Sequence, residues 1–332
     1  IIPPENVSVF TKEGSAGGID KEGIESIRKN APFQFAAQNR MVTSDDYSSL
    51  ILKKYSAFIK DIQSWGGEDN PEPDYGTVFT SIVWSDNISA TTIANTRQGI
   101  LDLSDQFQIA SFKLTFTDPV VTYITTEIYY QFNPSLTGLS SSNVRGLVSN
   151  TVEDYFSENT GKFSQTFRQS NLLTRVDATE PSVLSSRANV ILSRRVIPQL
   201  GFTKSYQIKF PAAIRDPSLA PVATVYSSNF SHFLGQGQSV FIRNSLSSRI
   251  KVSSPGEDDI FETRASNILE MVGSDGNVIL DNIGSYDTVL GTVTIDSLKI
   301  NSIPGNVNYI KIFAVPANQS VINSVRNNIL QY

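Results

Sequence analysis

The chain contains no cysteine and one histidine, His232. The first absence excludes disulfides, thiolate metal centres and cysteine nucleophiles. The second excludes His-rich zinc and non-haem iron sites. Charge is sparse: Lys and Arg number 27 against 32 Asp and Glu, a net charge of −5. No basic block offers a surface that could track phosphates, so nucleic acid is not an expected partner. No apolar run approaches the ~20 residues of a spanning helix, so a membrane is not expected either. The opening residues IIPPENVSVF carry no initiator Met and no charged-then-apolar leader pattern, which reads as a chain entered midway.

What is present points to packed, strand-rich structure. At 332 residues there is room for two or three domains of roughly 100–200 residues each. Aromatics make up 10% of the chain, chiefly 19 Phe and 12 Tyr, too many for a disordered chain. Their company of Ser, Thr and Asn favours strands and loops with hydrogen-bonding surfaces.

Periodicity divides the chain into regions. Gly18–Pro32 reads as a helix with Asp20 as its cap, Ile24 and Ile27 on one face and Pro32 as its stop. A second helix opens on the capping-box pair Thr43 and Asp46 and carries a stripe of Tyr47, Leu50, Ile51 and Tyr55. Phe58–Trp65 and Thr77–Trp84 read as strands. Then comes a helix with Ile93, Ile100, Leu101 and Phe107 on one side, and two strands divided by the turn signal Asp118-Pro119. SSSNVRGLVSNTVEDYF is a helix burying Val144, Leu147, Val148, Val152 and Tyr155, and SRANVILSRRV and KSYQIKF are strands. Beyond Pro211 short alternating runs dominate, with Gly273-Ser-Asp-Gly276 as a hairpin connection. The expected class is α+β: a mixed strand and helix front region, then a β-rich C-terminal domain, in an elongated multidomain chain. Expected borders enclose an N-terminal segment with two helices (1–56), an α+β region (57–216) and a β-rich domain (217–332).

The densest candidate for chemistry is SWGGEDNPEPDYG, residues 64–76. Glu68, Asp69, Glu72 and Asp74 are hard oxygen ligands, but their spacing does not fit a calcium loop, and Pro71 and Pro73 stiffen the backbone between them. The alternative is architecture, with Gly66-Gly67 allowing either positive φ or close backbone approach and Trp65 and Tyr75 as packing anchors. Glu127 and Glu153 are single acids without the partner a glycosidase needs. His232 has no G-x-S-x-G elbow to serve. Gly235-Gln-Gly237 lacks a third glycine and the strand-to-helix setting of a dinucleotide site. Arg187, Arg194 and Arg195, with Lys204 and Lys209 downstream, form the one basic concentration: a face for an acidic partner, or a solvated strand. The sequons at Asn6, Asn87, Asn229 and Asn318 matter only in a secreted chain. No catalytic, cofactor-binding or metal-ligating residue is assigned, and no cofactor or small-molecule substrate is expected.

Three linked patterns carry a resemblance. The first is Glu22-x-Ile24-x-x-Ile27-Arg28-x-x-Ala31-Pro32; the second is Asn39-Arg40-Met41-Val42-Thr43-Ser44-Asp45-Asp46-Tyr47; the third is Trp65-Gly-Gly-Glu-Asp-Asn70. Together with residues 154–192 they make the chain, over about residues 14–215, resemble the baseplate J-like family of contractile-tailed bacteriophages, in its T-even wedge branch. The resemblance implies a non-enzymatic structural protein of the virion tail baseplate, assembled in the host cytoplasm. It implies the C-terminal part of a longer wedge subunit that links wedges into a ring around the hub and rearranges on sheath contraction. Its implied partners are itself, as a homodimer, and other wedge subunits. A carbohydrate-binding or adhesin-like module stands as the alternative; a groove lined jointly by Tyr129, Tyr130 and Phe132 would favour it.

Overall fold

The structure, a computed structural model, describes residues 40–332 apart from 71, 109–111, 220–221, 247, 252–260 and 265, and before residue 40 only Ile24, Ile27, Arg28, Ala31, Pro32 and Phe35. Most of the expected helix at Gly18–Pro32 therefore lies outside the described residues. At the described positions Pro32 does not stop it, because Pro32 and Phe35 are themselves helical.

Helix α1 (Ser44–Tyr55) begins as its capping residues dictate. Thr43 Oγ1 accepts from the Asp46 N–H at 3.3 Å, and the Asp46 carboxylate accepts from the Thr43 N–H at 2.9 Å. Two otherwise unpaired donors are thereby satisfied. Tyr47, Leu50 and Ile51 are buried as their spacing requires. They pack with strands β1 (Ile59–Gly66) and β2 (Thr77–Trp84) and helix α2 (Ala90–Phe107). Helix α2 buries Thr96, Ile100, Leu103 and Ser104, so its inner stripe runs through Leu103 rather than Leu101. It crosses from β2 to β3 (Lys113–Thr117), which pairs parallel to β2 while β1 pairs antiparallel. A parallel partner needs such a crossover. The three strands and two helices share one core.

Asp118-Pro119 is more than a turn. It ends the first compact unit, residues 1–119, and Val120 begins the second, 120–332. The break falls there rather than near residues 56 and 216. Helix α1 shares its core with β1 and β2, so residue 56 separates nothing.

The second unit is built on an eleven-stranded sheet. Strand β4 (Val120–Phe132) is followed by helix α3 (Ser141–Asn159), β5 (Thr166–Arg168), helix α4 (Gln169–Asp177), β6 (Val183–Val196) and β7 (Thr203–Lys209). The remaining strands are β8 (Val225–Ser227), β9 (Phe230–Ser231), β10 (Ser239–Asn244), β11 (Ser248–Lys251), β12 (Phe261–Arg264), β13 (Ile268–Gly273), β14 (Val278–Asp287), β15 (Thr292–Lys299), β16 (Ile310–Ala314), β17 (Val321–Asn323) and β18 (Asn328–Gln331). The sheet order is β18-β4-β6-β16-β8-β10-β13-β14-β15-β7, with β9 beside β10. Strands from both sides of residue 217 interleave: β6 pairs β16, and β7 pairs β15. The Pro217–Leu219 stretch is a single 3-10 turn on a connection within this unit, so its composition marks a loop rather than a domain border.

The fold is thus α+β. Alternation along β4 and β6 gives the sheet two unlike faces. Ile124, Val190 and Leu192 point into a core closed by Val144, Val148, Val152, Tyr155 and Phe156 of α3 and by Leu172 and Val176 of α4. Leu147, expected in that stripe, stays exposed, and Phe156 takes the inner position. Phe156 stacks on both Phe167 and Tyr332. Each large apolar side chain so buried contributes about 1.5–3 kcal/mol.

Candidate assembly surfaces

Two surfaces gather the residues that drew attention in the sequence, one on each unit. On the first unit the 66–76 segment is a closed loop. The Gly67 carbonyl accepts from the N–H groups of both Asn70 (3.2 Å) and Asp74 (3.0 Å). Trp65 is buried, stacks on Phe79, and donates from Nε1 to Asn70 Oδ1 at 2.9 Å. A Cβ on Gly67 would lie 1.9 Å from the Asp74 carbonyl oxygen. The glycine is there for close backbone approach, one of the two roles its sequence allowed. Tyr75, expected as a second anchor, is 80% exposed instead. Glu68, Asp69, Glu72 and Asp74 are all exposed. Among the described residues no three His, Cys, Asp or Glu side chains are placed to hold a metal ion.

On the second unit the sheet face opposite the helices carries a different chemistry. Tyr123, Glu127 and Tyr129 of β4 lie on it with Arg187, Asn189 and Arg195 of β6, Lys311 and Phe313 of β16, and Tyr226 of β8. Arg195 sits between two rings, its guanidinium 4.1 Å from the centroid of Tyr123 and 4.5 Å from that of Tyr309. Arg187 lies 5.0 Å over Tyr129. Cation–π contacts of this kind are worth about 0.5–1 kcal/mol at exposed sites. Tyr226 stacks on Phe313, and its burial, with the Glu127 charge, raises its phenol above the ordinary value. At the far side, Arg243 pairs with the buried Glu270 at 2.9 Å.

The sequence grouped Arg187, Arg194 and Arg195; the pleat separates them. Arg194 points to the other face, donates to the Lys209 carbonyl at 2.7 Å, and burial pushes its guanidinium down from the ordinary value. Tyr123, Tyr309 and Lys311 were not singled out in the sequence. Their signal was the alternation of β4 and β16, which places Lys311 opposite Arg195 only once the pairing is known.

The other candidates are not brought together. Glu127 accepts from the Tyr129 hydroxyl at 3.3 Å on the uncovered face. Glu153 lines a cavity of about 350 Å³ with Tyr130, Arg145 and Tyr332, on the helix side of β4. The sheet stands between the two acids. Tyr130 and Phe132 pack against the core, whereas Tyr129 lies on the opposite face, so the three line no common groove. His232 is buried, and its Nδ1 accepts from the Leu234 N–H at 3.2 Å. Burial, then the Lys299 charge, lowers its pKa. Gly235 and Gly237 belong to the turn that follows, Gly237 at φ +90°.

Comparison with known proteins divides the chain at the same place. Residues 43–115 match the family model for baseplate structural protein gp6, C-terminal domain I, and residues 120–195 match that for C-terminal domain III. Residues 43–195 are gp6-like. The first match falls inside the first compact unit and the second begins where the second unit begins. Baseplate wedge protein gp6 of Enterobacteria phage T4 is 25% identical over 201 residues, 59% of this chain and 30% of that protein. The chain thus spans about a third of the length of this curated relative. A chain of the anti-feeding prophage baseplate, solved by cryo-electron microscopy, overlaps 52% of this chain and 38% of its own length at 17% identity, with a TM-score of 0.35. The gp6-like region holds the acidic loop, and its domain III portion supplies Tyr123, Glu127, Tyr129, Arg187 and Arg195 to the uncovered face. Strands β8 and β16 complete that face from beyond residue 195.

Proposed function

We propose that this chain is a structural component of a phage tail baseplate, a wedge subunit located in the virion and assembled in the host cytoplasm. The observation that carries the reading is the ordered pair of gp6 domain matches, each seated in its own compact unit. In this reading the chain associates with a second copy and with other baseplate subunits, links wedges, and rearranges when the sheath contracts. It works without enzymatic activity, cofactor or metal, and no residue is assigned a catalytic or ligand-binding role. Supporting it, the residues tested for chemistry are scattered over separate faces, and the uncovered sheet face is polar and aromatic as protein interfaces are.

Labelling tests the location. Gold particles directed at a tagged copy should mark the tail end of intact virions; label along the capsid or sheath, or none on virions, overturns it. Sedimentation over a range of concentrations tests self-association, with a mass approaching twice 36.5 kDa expected at high concentration.

A further inference from the structure

Arg195 and Lys311 are cross-strand partners on the uncovered face of the second unit. Like charges directly opposite in a sheet are destabilising. Among the described residues neither has an ion-pair partner, and the same holds for Arg187. The Arg195 guanidinium lies within 4.5 Å of the centroids of both the Tyr123 and Tyr309 rings. The two rings hold the charge in place, and a guanidinium so held suits a carboxylate partner. Glu127, an acid on the same face, is engaged by the Tyr129 hydroxyl and Asn189 instead.

The complementary surface lies on the first unit. Glu68, Glu72 and Asp74 are exposed within seven positions, beside the exposed ring of Tyr75. None of the three has an ion-pair partner among the described residues. The loop that carries them is closed at its base by the two hydrogen bonds to the Gly67 carbonyl and pinned through Trp65 and Asn70. The base of the loop and the Arg195 side chain are thus each held before they meet, which lowers the entropy lost on binding.

We infer that the Arg195–Lys311 face receives the acidic 68–75 loop of a second copy of this chain. The inference rests on the self-association proposed above and names the surfaces that make it. A two-fold dimer forms the contact twice, and a head-to-tail arrangement forms it once per interface.

Charge reversal tests it in the whole chain by sedimentation equilibrium at low salt, with circular dichroism confirming that each variant is folded. Glu72→Lys with Asp74→Lys, and separately Arg195→Glu with Lys311→Glu, should each weaken self-association at least tenfold. Lys311→Glu alone, which leaves the tyrosine clamp intact, should weaken it about threefold. Mixing the two double variants should restore association, because each reversed loop then meets a reversed face. Reversed variants that associate like the parent overturn the assigned surfaces and leave self-association standing. A parent chain that stays monomeric overturns both. A synthetic peptide of residues 64–76 should compete with the dimer; a polyglutamate peptide of equal charge competing equally well overturns the loop as the specific occupant.

Discussion

Gly67 shows how one residue decides a loop. An added methyl group there meets the backbone carbonyl of Asp74 at 1.9 Å, which cannot swing aside without opening the loop base. Gly76, nine residues on, has φ +80° but nothing within 4 Å of its would-be Cβ. The two glycines therefore fail differently. Gly67→Ala should cost about 2–3 kcal/mol, the upper end of single-site effects. Gly76→Ala should cost about 1 kcal/mol, the left-handed backbone penalty alone. Urea unfolding followed by tryptophan fluorescence reads both, since Trp65 and Trp84 are the chain's two tryptophans and both lie in the first unit. Equal losses would sink the close-approach account. This much of the loop was legible beforehand: two glycines and two prolines allow few backbones. The exposure of Tyr75 was not, because a ring beside a turn has no periodicity to say which side it takes.

Elements were more legible than their faces. The capping box at Thr43, the strand at Thr77–Trp84 and the long helix from Ser141 all stand where local pattern puts them. Which helical residue faces inward was less legible: Leu101 is only half-buried and Leu147 exposed although both are apolar, while Thr96, Ser104 and Phe156 are buried. An apolar side chain can sit outside at small cost, so polarity alone does not fix the stripe. The short 3-10 turn Phe233–Gly235 shows an element whose stability depends on a proton. His232 caps it by accepting at Nδ1, which only the neutral ring can do. Burial and Lys299 depress its pKa below the ordinary 6.5. The unfolded chain therefore takes up the proton first, and stability falls as pH drops below about 6.5. His232→Asn keeps an acceptor at the cap and removes the titration. The parent's thermal midpoint should fall more than the variant's between about pH 7.5 and about pH 5.5; parallel losses would show that His232 does not contribute.

At the scale of the molecule, the sequence signal and the fold part company over sheet pairing. Proline-rich text near residue 217 suggests a border, yet β16 reaches back past it to β6 and β15 to β7. Such pairings join residues 83 to 122 positions apart, and no local window contains them. The clamp around Arg195 has the same origin, since Tyr123, Arg195 and Tyr309 come from three distant segments. The real division at Pro119–Val120 separates two cores with no shared residue: one holds Met41 to Phe116, the other Ile124 to Leu330. Each is a closed set of packed side chains, so each should unfold as its own cooperative unit. A fragment of residues 120–332 carries no tryptophan and keeps every strand of the eleven-stranded sheet. It should unfold cooperatively by circular dichroism, with a midpoint within a few degrees of the second unit's transition in the intact chain. Gly67→Ala in the intact chain should lower the tryptophan-reported transition and leave that second transition in place. A fragment with no cooperative transition, or a Gly67 variant that shifts both transitions together, would mean that the two cores depend on each other and that Pro119 is a bend within one folding unit.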